Sequence, residues 1–262
     1  MAAERPATFA GSADAADTTA ASGTTTAATA ATPTTPATPA FDAATAARIA
    51  AAFRPDRWYG NRTAYYYTRA KLRSDPLYPG VIDALRGCDA PLLDLGCGMG
   101  LLAHALRDAG LRMQYRGVDI DARKIAQAER AAANARLRDV AFEAMDLSAR
   151  MPAHQGSVAI LDVLQFVPPA AQSAILDAAV AMLSPGARLV IRTGLDDGST
   201  RARTTRRIDA LSRALRWMNA GPQSYPDADA LRSRFEAAGL TSNFAPLYGR
   251  TPFNNWLVVA AS

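Results

Sequence analysis

The chain has 262 residues, of which 49% are hydrophobic and 20% are charged, a composition that can bury a sizeable core. Its formal net charge of +5 permits a nucleic acid, an anionic membrane surface or an acidic protein as a partner without selecting one of them. Cys88 and Cys97 lie far apart in no metal-binding pattern, and no apolar run approaches the about 18 residues of a membrane span. We therefore expect a reduced, cytoplasmic protein with no metal and no transmembrane segment.

The N-terminal part of the chain divides into a tail and a group of helices. Residues 1–40 are almost entirely Ala, Thr, Pro, Ser and Gly, which predicts a disordered tail because so few large side chains can be buried. After it, Asp42 is placed to cap a first helix. Apolar spacing predicts two more helices, over residues 65–72 and 77–85. Residues 41–88 are therefore predicted to form an N-terminal helical cap.

From residue 89 to the C-terminus, short apolar runs alternate with longer amphipathic ones, which indicates a parallel sheet covered by helices on both faces. The predicted strands are residues 92–95, 115–119, 140–145, 158–163 and 187–193. Two later β-like runs, 241–248 and 256–260, are too close for a crossover helix and must be antiparallel neighbours. The chain is therefore predicted to have an α/β, Rossmann-like fold with a seven-stranded, mostly parallel sheet and a C-terminal antiparallel hairpin.

A basic helical insertion is predicted within this core, at about residues 196–221. Its arginines are Arg201, Arg203, Arg206, Arg207, Arg213 and Arg216. Such a helix usually packs one face on the core and exposes the other. A second hypothesis is a basic lid that docks an acidic carrier protein, an anionic lipid surface or RNA. RNA is the least favoured of these partners, because aromatic interleaving is limited to Trp217.

The first strand leads into a glycine-rich turn, Asp94-Leu95-Gly96-Cys97-Gly98-Met99-Gly100. Glycines let the backbone turn sharply and approach a ligand closely. The following helix would present free N–H groups and a positive dipole end to a carboxylate. A dinucleotide fingerprint needs the spacing GxGxxG, which fails here because residue 101 is Leu101. An acid at Asp94 would also repel a pyrophosphate.

Three further segments follow the next strands. The second strand ends in Gly117-Val118-Asp119-Ile120-Asp121, where an acid can accept hydrogen bonds from ribose hydroxyls and Asp121 can cap the next helix. The third leads into Met145-Asp146-Leu147, and the fourth into Asp162-Val163-Leu164-Gln165-Phe166. All lie at carboxyl ends of strands, where open α/β sheets bind ligands.

Together these motifs resemble those of class I S-adenosylmethionine-dependent methyltransferases. The resemblance implies that S-adenosylmethionine is the cofactor and S-adenosylhomocysteine the product. It implies that Asp94 helps to receive the ammonium group of the cofactor, that Asp119 binds the ribose, and that Ile120 packs on the adenine. The full set of cofactor-binding candidates is Asp94, Gly96, Cys97, Gly98, Gly100, Asp119, Ile120, Met145, Asp146, Leu147, Asp162, Leu164 and Arg69.

The acceptor side of the site is less defined. Many relatives carry histidine after the fourth strand, but this chain has Gln165 and Phe166, so no general base is assigned. His104 is interpreted as structural or solvent-facing, and His154 precedes the fourth strand at the wrong edge of the sheet. The substrate-pocket candidates are Gln165, Tyr66 and Arg192.

Neighbouring residues of the cap supply further candidates. Tyr65, Tyr66 and Tyr67 offer ring surfaces, of which one or two should face the cleft. Arg69 is a candidate partner for the methionine carboxylate of the cofactor. The segment also resembles small-molecule methyltransferases of bacterial polyene or polyketide-type pathways, which implies secondary metabolism and an aromatic or carrier-tethered acceptor.

Methylation of a small acceptor at oxygen or carbon is therefore the predicted function. One alternative is a non-catalytic S-adenosylmethionine-binding scaffold or regulator, against which the intact glycines and acids speak. The other is an RNA methyltransferase. We do not expect a nucleic acid partner, because the Asn/Asp-Pro-Pro-aromatic run of base methylation is absent after Asp162.

Overall fold

Seven β-strands form one mixed sheet in the computed structural model, which describes residues 38–55, 57, 59–195, 224–249 and 254–262. The strands are β1 Leu92–Leu95, β2 Tyr115–Asp119, β3 Val140–Ala144, β4 Ser157–Leu161, β5 Arg188–Gly194, β6 Thr241–Pro246 and β7 Asn255–Ala261. Their order across the sheet is β3-β2-β1-β4-β5-β7-β6. The first five strands pair in parallel, whereas β7 runs antiparallel to both β5 and β6. The predicted α/β sheet with its C-terminal antiparallel hairpin is confirmed.

Helices connect and cover these strands. They are α1 Ala43–Ala50, α2 Thr63–Ser74, α3 Leu77–Leu85, α4 Leu101–Asp108, α5 Ala122–Asn134, α6 Pro169–Ala181 and α7 Ala228–Ala237. As predicted, Asp42 caps α1, its Oδ1 accepting the N–H of Thr45 at 2.8 Å. No helix in the described ranges is long and apolar enough to cross a membrane. Residues 1–37 and 196–223 lie outside the described residues, and they include most of the predicted tail and the whole predicted basic insertion. The division into tail, cap and core stays a prediction.

Apolar side chains fill both faces of the sheet. On one face, Leu72 of α2 and Leu85 of α3 join Leu102 and Leu106 of α4, all at most 2% exposed. The other face packs a second cluster, which includes Phe235 of α7. All four residues of β1 are buried, as expected for an interior parallel strand covered by helices on both faces. This packing fixes the carboxyl ends of β1, β2 and β4 next to one another.

The end of β4 differs from the prediction. The apolar run suggested a strand to Val163, but β4 ends at Leu161 because Asp162 has a left-handed backbone with φ of 60°. The Asp162 N–H still donates to the carbonyl of Arg192 on β5 at 2.8 Å. Few non-glycine residues adopt this conformation without outside support. The turn redirects the following residues, which form the short 3₁₀ turn Leu164–Phe166, towards the glycine-rich turn.

Packing of the cap helix α2 on the core can be tested at Leu72, which is fully buried. We expect Leu72→Ala to lower the free energy of unfolding by about 2–5 kcal/mol, because a cavity replaces the lost side chain. Arg73→Ala, at the neighbouring exposed position, should change it by less than about 0.5 kcal/mol. Urea unfolding followed by circular dichroism measures both. Equal stabilities of the two variants would show that α2 does not belong to the cooperative core.

Candidate cofactor and acceptor site

The glycine-rich turn after β1 is anchored to the end of β2. The N–H groups of Gly96 and Cys97 both donate to the carbonyl of Val118, at 2.7 and 2.9 Å. The N–H of Gly98 donates to Oδ2 of Asp119 at 2.9 Å. Three successive backbone groups of the turn are therefore satisfied by the neighbouring strand. The turn keeps its shape through these bonds, independently of a ligand.

The glycines of this turn serve different purposes. A Cβ at Gly96 would lie 2.3 Å from a methyl carbon of Val163, and one at Gly100 would lie 2.5 Å from the Phe142 ring. Protein contacts therefore require glycine at both positions. A Cβ at Gly98 would meet no atom within 4 Å, although its φ of 57° also favours glycine. The space above Gly98 is open to a ligand that approaches the backbone.

Asp119 links the turn to the start of α5. Its side chain is buried, and its Oδ1 accepts the N–H of Asp121 at 2.9 Å while its Oδ2 serves Gly98. Each carboxylate oxygen has a second lone pair, which can accept a ribose hydroxyl. Asp121 accepts the N–H of Arg123 and caps α5, which confirms that part of the prediction. The role of Asp119 towards ribose stays a prediction, but its position beside the open turn fits it.

The apolar candidates for the adenine differ in exposure. Ile120 is 70% exposed directly after β2, so its aliphatic side chain is open to a ligand. Met145 is buried in the core, and Leu147 packs partly against the same cluster. Asp146 is exposed, and its Oδ1 accepts from the N–H and hydroxyl of Ser148, which lower the pKa of the Asp146 carboxyl. Ile120 thus offers the open apolar surface of this group.

Asp94 lies inside the protein rather than on the open turn. It is 2% exposed, and its Oδ2 accepts the hydroxyl of Tyr115 at 2.6 Å. Its Oδ1 is buried without a hydrogen-bond partner in the structure. Burial raises the pKa of Asp94 to about 7, partly opposed by the Tyr115 hydrogen bond. The carboxyl is therefore enclosed beside Tyr115, and its predicted role towards the cofactor ammonium group stays a prediction.

Four charged side chains meet where the cap joins the ends of β4 and β5. Arg192 is 3% exposed and donates to Oδ2 of Asp162 at 2.5 Å and to Oδ1 of Asp75 at 3.1 Å. The ammonium of Lys71 lies 3.3 Å from Oδ2 of Asp75 and 3.7 Å from Oδ2 of Asp162. We call Lys71, Asp75, Asp162 and Arg192 the charge cluster. Two cations and two anions balance one another within it.

Mutual attraction holds these groups in their charged forms. Burial by itself would raise the pKa of Asp162, but Arg192 and Lys71 outweigh it and lower that pKa. Burial would likewise lower the pKa of Lys71, yet the carboxylates of Asp162 and Asp75 help to raise it. The pKa of Arg192 is also raised, against burial, by the same two carboxylates. Asp162, Lys71 and Arg192 are therefore charged at neutral pH.

The substrate-pocket candidates fall in different places. Gln165 is buried, and its Oε1 accepts the hydroxyl of Thr193 at 3.2 Å, while its amide nitrogen has no partner among the described residues. Tyr66 is 56% exposed and packs edge-to-face on Tyr65. Arg192 lies beneath the surface in the charge cluster. None of these contacts tests whether an acceptor reaches the residues, so their roles stay predictions.

Leu164 and Arg69 show no contact that tests a role towards the cofactor. Leu164 is fully buried in the core, so a contact with the cofactor would have to use its backbone. Arg69 faces Tyr65 on α2 and has a buried Nε without a partner, whereas Lys71 reaches the charge cluster. The assignment of Arg69 to the methionine carboxylate stays a prediction.

Among the described residues, no cysteine or histidine is placed to react at the carboxyl edge of the sheet. Burial raises the pKa of the Cys97 thiol, so it is a small apolar filler of the turn. His104 is 4% exposed and packs on Phe53, with ring centroids 4.9 Å apart, which makes it structural. His154 lies 2.9 Å from the Ser157 carbonyl at the start of β4. Neither histidine lies at the carboxyl edge of the sheet.

The open turn fits the nucleoside and methionine parts of S-adenosylmethionine. Free space lies above Gly98, a carboxylate borders it at Asp119, and an exposed aliphatic side chain stands beside it at Ile120. Sequence reasoning did not find Lys71, Asp75 or Tyr115. The four-residue spacing of Lys71 and Asp75 signals a helical ion pair. No sequence signal joins Asp75 to Arg192, which lies 117 residues away.

Comparison with known proteins agrees with this geometry. Residues 92–186 match a family model described as a methyltransferase domain. A ubiquinone biosynthesis O-methyltransferase of Xylella fastidiosa strain 9a5c is 34% identical over 105 residues, covering 40% of this chain and 42% of the relative. The match thus spans less than half the length of that curated relative.

Solved structures show the same fold. An O-methyltransferase family protein from Burkholderia thailandensis superposes with a TM-score of 0.58 and 17% identity, covering 76% of this chain and 59% of the other. A magnesium protoporphyrin IX methyltransferase from Synechocystis PCC 6803 with bound SAH gives 0.57 and 17%, with coverages of 82% and 93%. Residues 92–186 are therefore similar to a methyltransferase domain, and the chain has the fold of these solved methyltransferases.

The buried carboxyl of Asp94 should make stability depend on pH. Its pKa of about 7 in the folded state exceeds its value in the unfolded chain, so the wild type loses stability as pH rises from about 4 to about 7. Asp94→Asn removes this loss. The stability of the variant relative to the wild type should therefore increase between pH 4 and pH 8, by an amount on the order of a few kcal/mol.

Chemical denaturation of the ligand-free protein at pH 4.5, 6 and 8 measures this difference. Asp89→Asn, at an exposed position before β1, should show no such trend. Tyr115→Phe removes the hydroxyl that stabilises the carboxylate and should steepen the loss. A constant difference between Asp94→Asn and wild type across these pH values contradicts the raised pKa.

The charge cluster should contribute to folding mainly through Arg192. Arg192→Met leaves Lys71 as the one cation of the charge cluster against its two carboxylates, and we expect a loss of about 3–5 kcal/mol in the free energy of unfolding. Arg86→Met is the matched control, since Arg86 pairs with Asp83 on the surface and should contribute less than about 1 kcal/mol. Urea unfolding at pH 7 measures both. Similar effects of the two substitutions contradict the arrangement.

Proposed function

We propose that this chain transfers the methyl group of S-adenosylmethionine to an oxygen atom of a small acceptor. The observation that carries the proposal is the preformed turn, with open space above Gly98 and the Asp119 carboxylate beside it. The methyltransferase domain over residues 92–186 supports the cofactor. The name of the curated relative, a ubiquinone biosynthesis O-methyltransferase, supports oxygen as the methylated atom.

The residues around the turn have distinct roles in this proposal. Asp119 accepts the ribose hydroxyls with lone pairs that its backbone partners leave free. Ile120 covers one face of the adenine. Val163 limits the space above Gly96, where the methionine part would bend towards the ends of β1 and β4. When bound, the cofactor supplies an electrophilic methyl group on a sulfonium, whose leaving group is neutral and needs no acid.

Positioning of the acceptor then provides most of the acceleration, because displacement at a methyl carbon requires alignment rather than acid catalysis. Tyr66 and Tyr67 are 56% and 53% exposed on α2, which suits an aromatic acceptor. The partly unpaired amide of Gln165 is a further donor for it. An acidic carrier protein would have to meet the arginines of the insertion, which lie outside the described residues.

The ribose assignment can be tested at Asp119. Isothermal titration with S-adenosylhomocysteine should give at least about tenfold weaker binding for Asp119→Ala, which corresponds to about 1.4 kcal/mol. Part of this loss would come from the turn, because the substitution also removes the partner of the Gly98 N–H. Glu129→Ala, at an exposed position on α5, is the control and should bind like the wild type.

A ligand pair separates the ribose contact from support of the turn. The wild type should prefer S-adenosylhomocysteine over its 2′,3′-dideoxy analogue, whereas Asp119→Ala should bind both equally. If Asp119→Ala weakens both ligands by the same factor, Asp119 acts through the turn alone. If the wild type binds neither ligand, the proposed function is wrong.

A further inference from the structure

Lys71 is the member of the charge cluster that reaches solvent from the cap side. Its ammonium directs protons at Asp75 and Asp162, at 3.3 and 3.7 Å, and its side chain is 22% exposed. An ammonium group has three protons. The two carboxylates account for two of them, which leaves one for a group outside the cluster.

The ammonium group of Lys71 is linked to the open turn through Asp162. Asp162 is followed directly by Val163, whose methyl group closes the space over Gly96. The left-handed backbone of Asp162 sets both side chains at this edge of the sheet. Carboxyl ends of strands are where reacting groups meet in open α/β folds. Lys71 therefore stands at the rim of the proposed cofactor site and on the side of the cap.

Tyr78 and Asp162, which face Lys71, do not exchange a proton near neutral pH. Tyr67 and Asp75 face it from α2 and its C-terminal end, Tyr78 from α3 and Asp162 from β4, with Arg192 behind. By distance, Lys71 pairs with Asp75 and Arg192 pairs with Asp162. Burial raises the pKa of the Tyr78 hydroxyl, and the cations lower that of Asp162. Lys71 itself stays an ammonium ion, so it is a hydrogen-bond donor and not a base.

Both histidines and the Asp94 carboxyl are out of reach of an acceptor at this edge, and Asp146 and Asp162 are weak bases because their surroundings lower the pKa of their carboxyls. His104 is enclosed against Phe53, and His154 lies at the start of β4. Asp94 is 2% exposed and bonded to Tyr115 inside the sheet. An acceptor that must give up a proton here would have to do so to water, which is efficient only for an acidic hydroxyl.

From this arrangement we infer that Lys71 holds the reacting oxygen of the acceptor as an anion. The acceptor is then a compound with an acidic hydroxyl, a phenol or an enol, and not an aliphatic alcohol. This inference rests on the proposed function. The acceptor hydroxyl loses its proton to water, and the resulting oxyanion pairs with the Lys71 ammonium. Its lone pair then forms the bond to the methyl carbon, while the electrons of the broken carbon–sulfur bond stay on sulfur.

The neighbouring tyrosines suit the body of such an acceptor. Tyr67 precedes Lys71 by one helical turn, is 53% exposed and interacts electrostatically with it, so the two side chains lie on the same side of α2. A phenol could lay its ring against Tyr67 while its oxygen reaches Lys71. The combination of an aromatic surface and a fixed cation favours an aromatic oxyanion over a neutral aliphatic ligand.

The test uses 4-nitrophenol as a probe, because its ionised form is visible by absorbance. The protein, saturated with S-adenosylhomocysteine, is titrated with the probe from pH 5 to pH 9. We expect the pKa of the bound phenol to fall by at least about one unit in the wild type and in Lys71→Arg. In Lys71→Met the fall should disappear. Lys124→Met, which alters the other lysine of the chain, should behave as the wild type.

Parallel titrations with S-adenosylhomocysteine alone distinguish the possible failures. Lys71→Met should bind it within about twofold of the wild type. A loss of more than about tenfold would assign Lys71 to the methionine carboxylate instead and overturn the inference. Normal cofactor binding with no change in the ionisation of the phenol would overturn it and leave the proposed function standing. Failure of the wild type to bind S-adenosylhomocysteine would remove both.

Discussion

Arg192 determines how the cap meets the sheet, because its guanidinium is almost fully enclosed and must be neutralised there. Two carboxylates neutralise the guanidinium from opposite sides: Asp75 at the end of α2 and Asp162 at the end of β4. One buried cation thereby ties the helical cap to two neighbouring strands. An ion pair of this kind contributes less to net stability than to the choice of one arrangement, since any other packing would leave a buried charge without its partner.

The geometry of the site follows from this constraint. The backbone of Asp162 takes a left-handed conformation, and its N–H and carboxylate both pair with Arg192. The strand therefore ends early, and Val163 turns over Gly96. The same contact brings Lys71 to the rim of the open turn. The shape of the acceptor side of the site thus follows from the pairing of the buried Arg192 guanidinium with carboxylates.

The cofactor side of the site depends on a second set of contacts, the hydrogen bonds between β2 and the turn that follows β1. Asp119 binds the N–H of Gly98, and Val118 binds those of Gly96 and Cys97, so β2 fixes the turn that follows β1. The turn is preorganised, and a ligand would not have to order it. The buried Asp94–Tyr115 pair forms a further link between β1 and β2. A preorganised turn on the cofactor side and the charge cluster on the acceptor side suit a reaction whose rate depends on how the reactants are positioned.

The sequence alone determined the order and type of the elements, because hydrophobic periodicity and turn residues are local signals. It located β1, the glycine turn, the cap of α5 at Asp121 and the antiparallel hairpin. It also placed Asp119 and Ile120 at the rim of the turn. These features depend on spacing within a few residues, which a single sequence displays directly.

Only the tertiary structure decided which distant groups meet. The pairing of Asp75 with Arg192 spans 117 residues, and no local pattern contains it. For the same reason the early end of β4 and the position of Lys71 were not predicted, since both follow from that pairing. The packing also encloses the carboxyl of Asp94 and bonds it to Tyr115, a partner that the sequence did not indicate. Periodicity specifies which face of an element is buried, but the partner of a buried charge is fixed only when the layers pack.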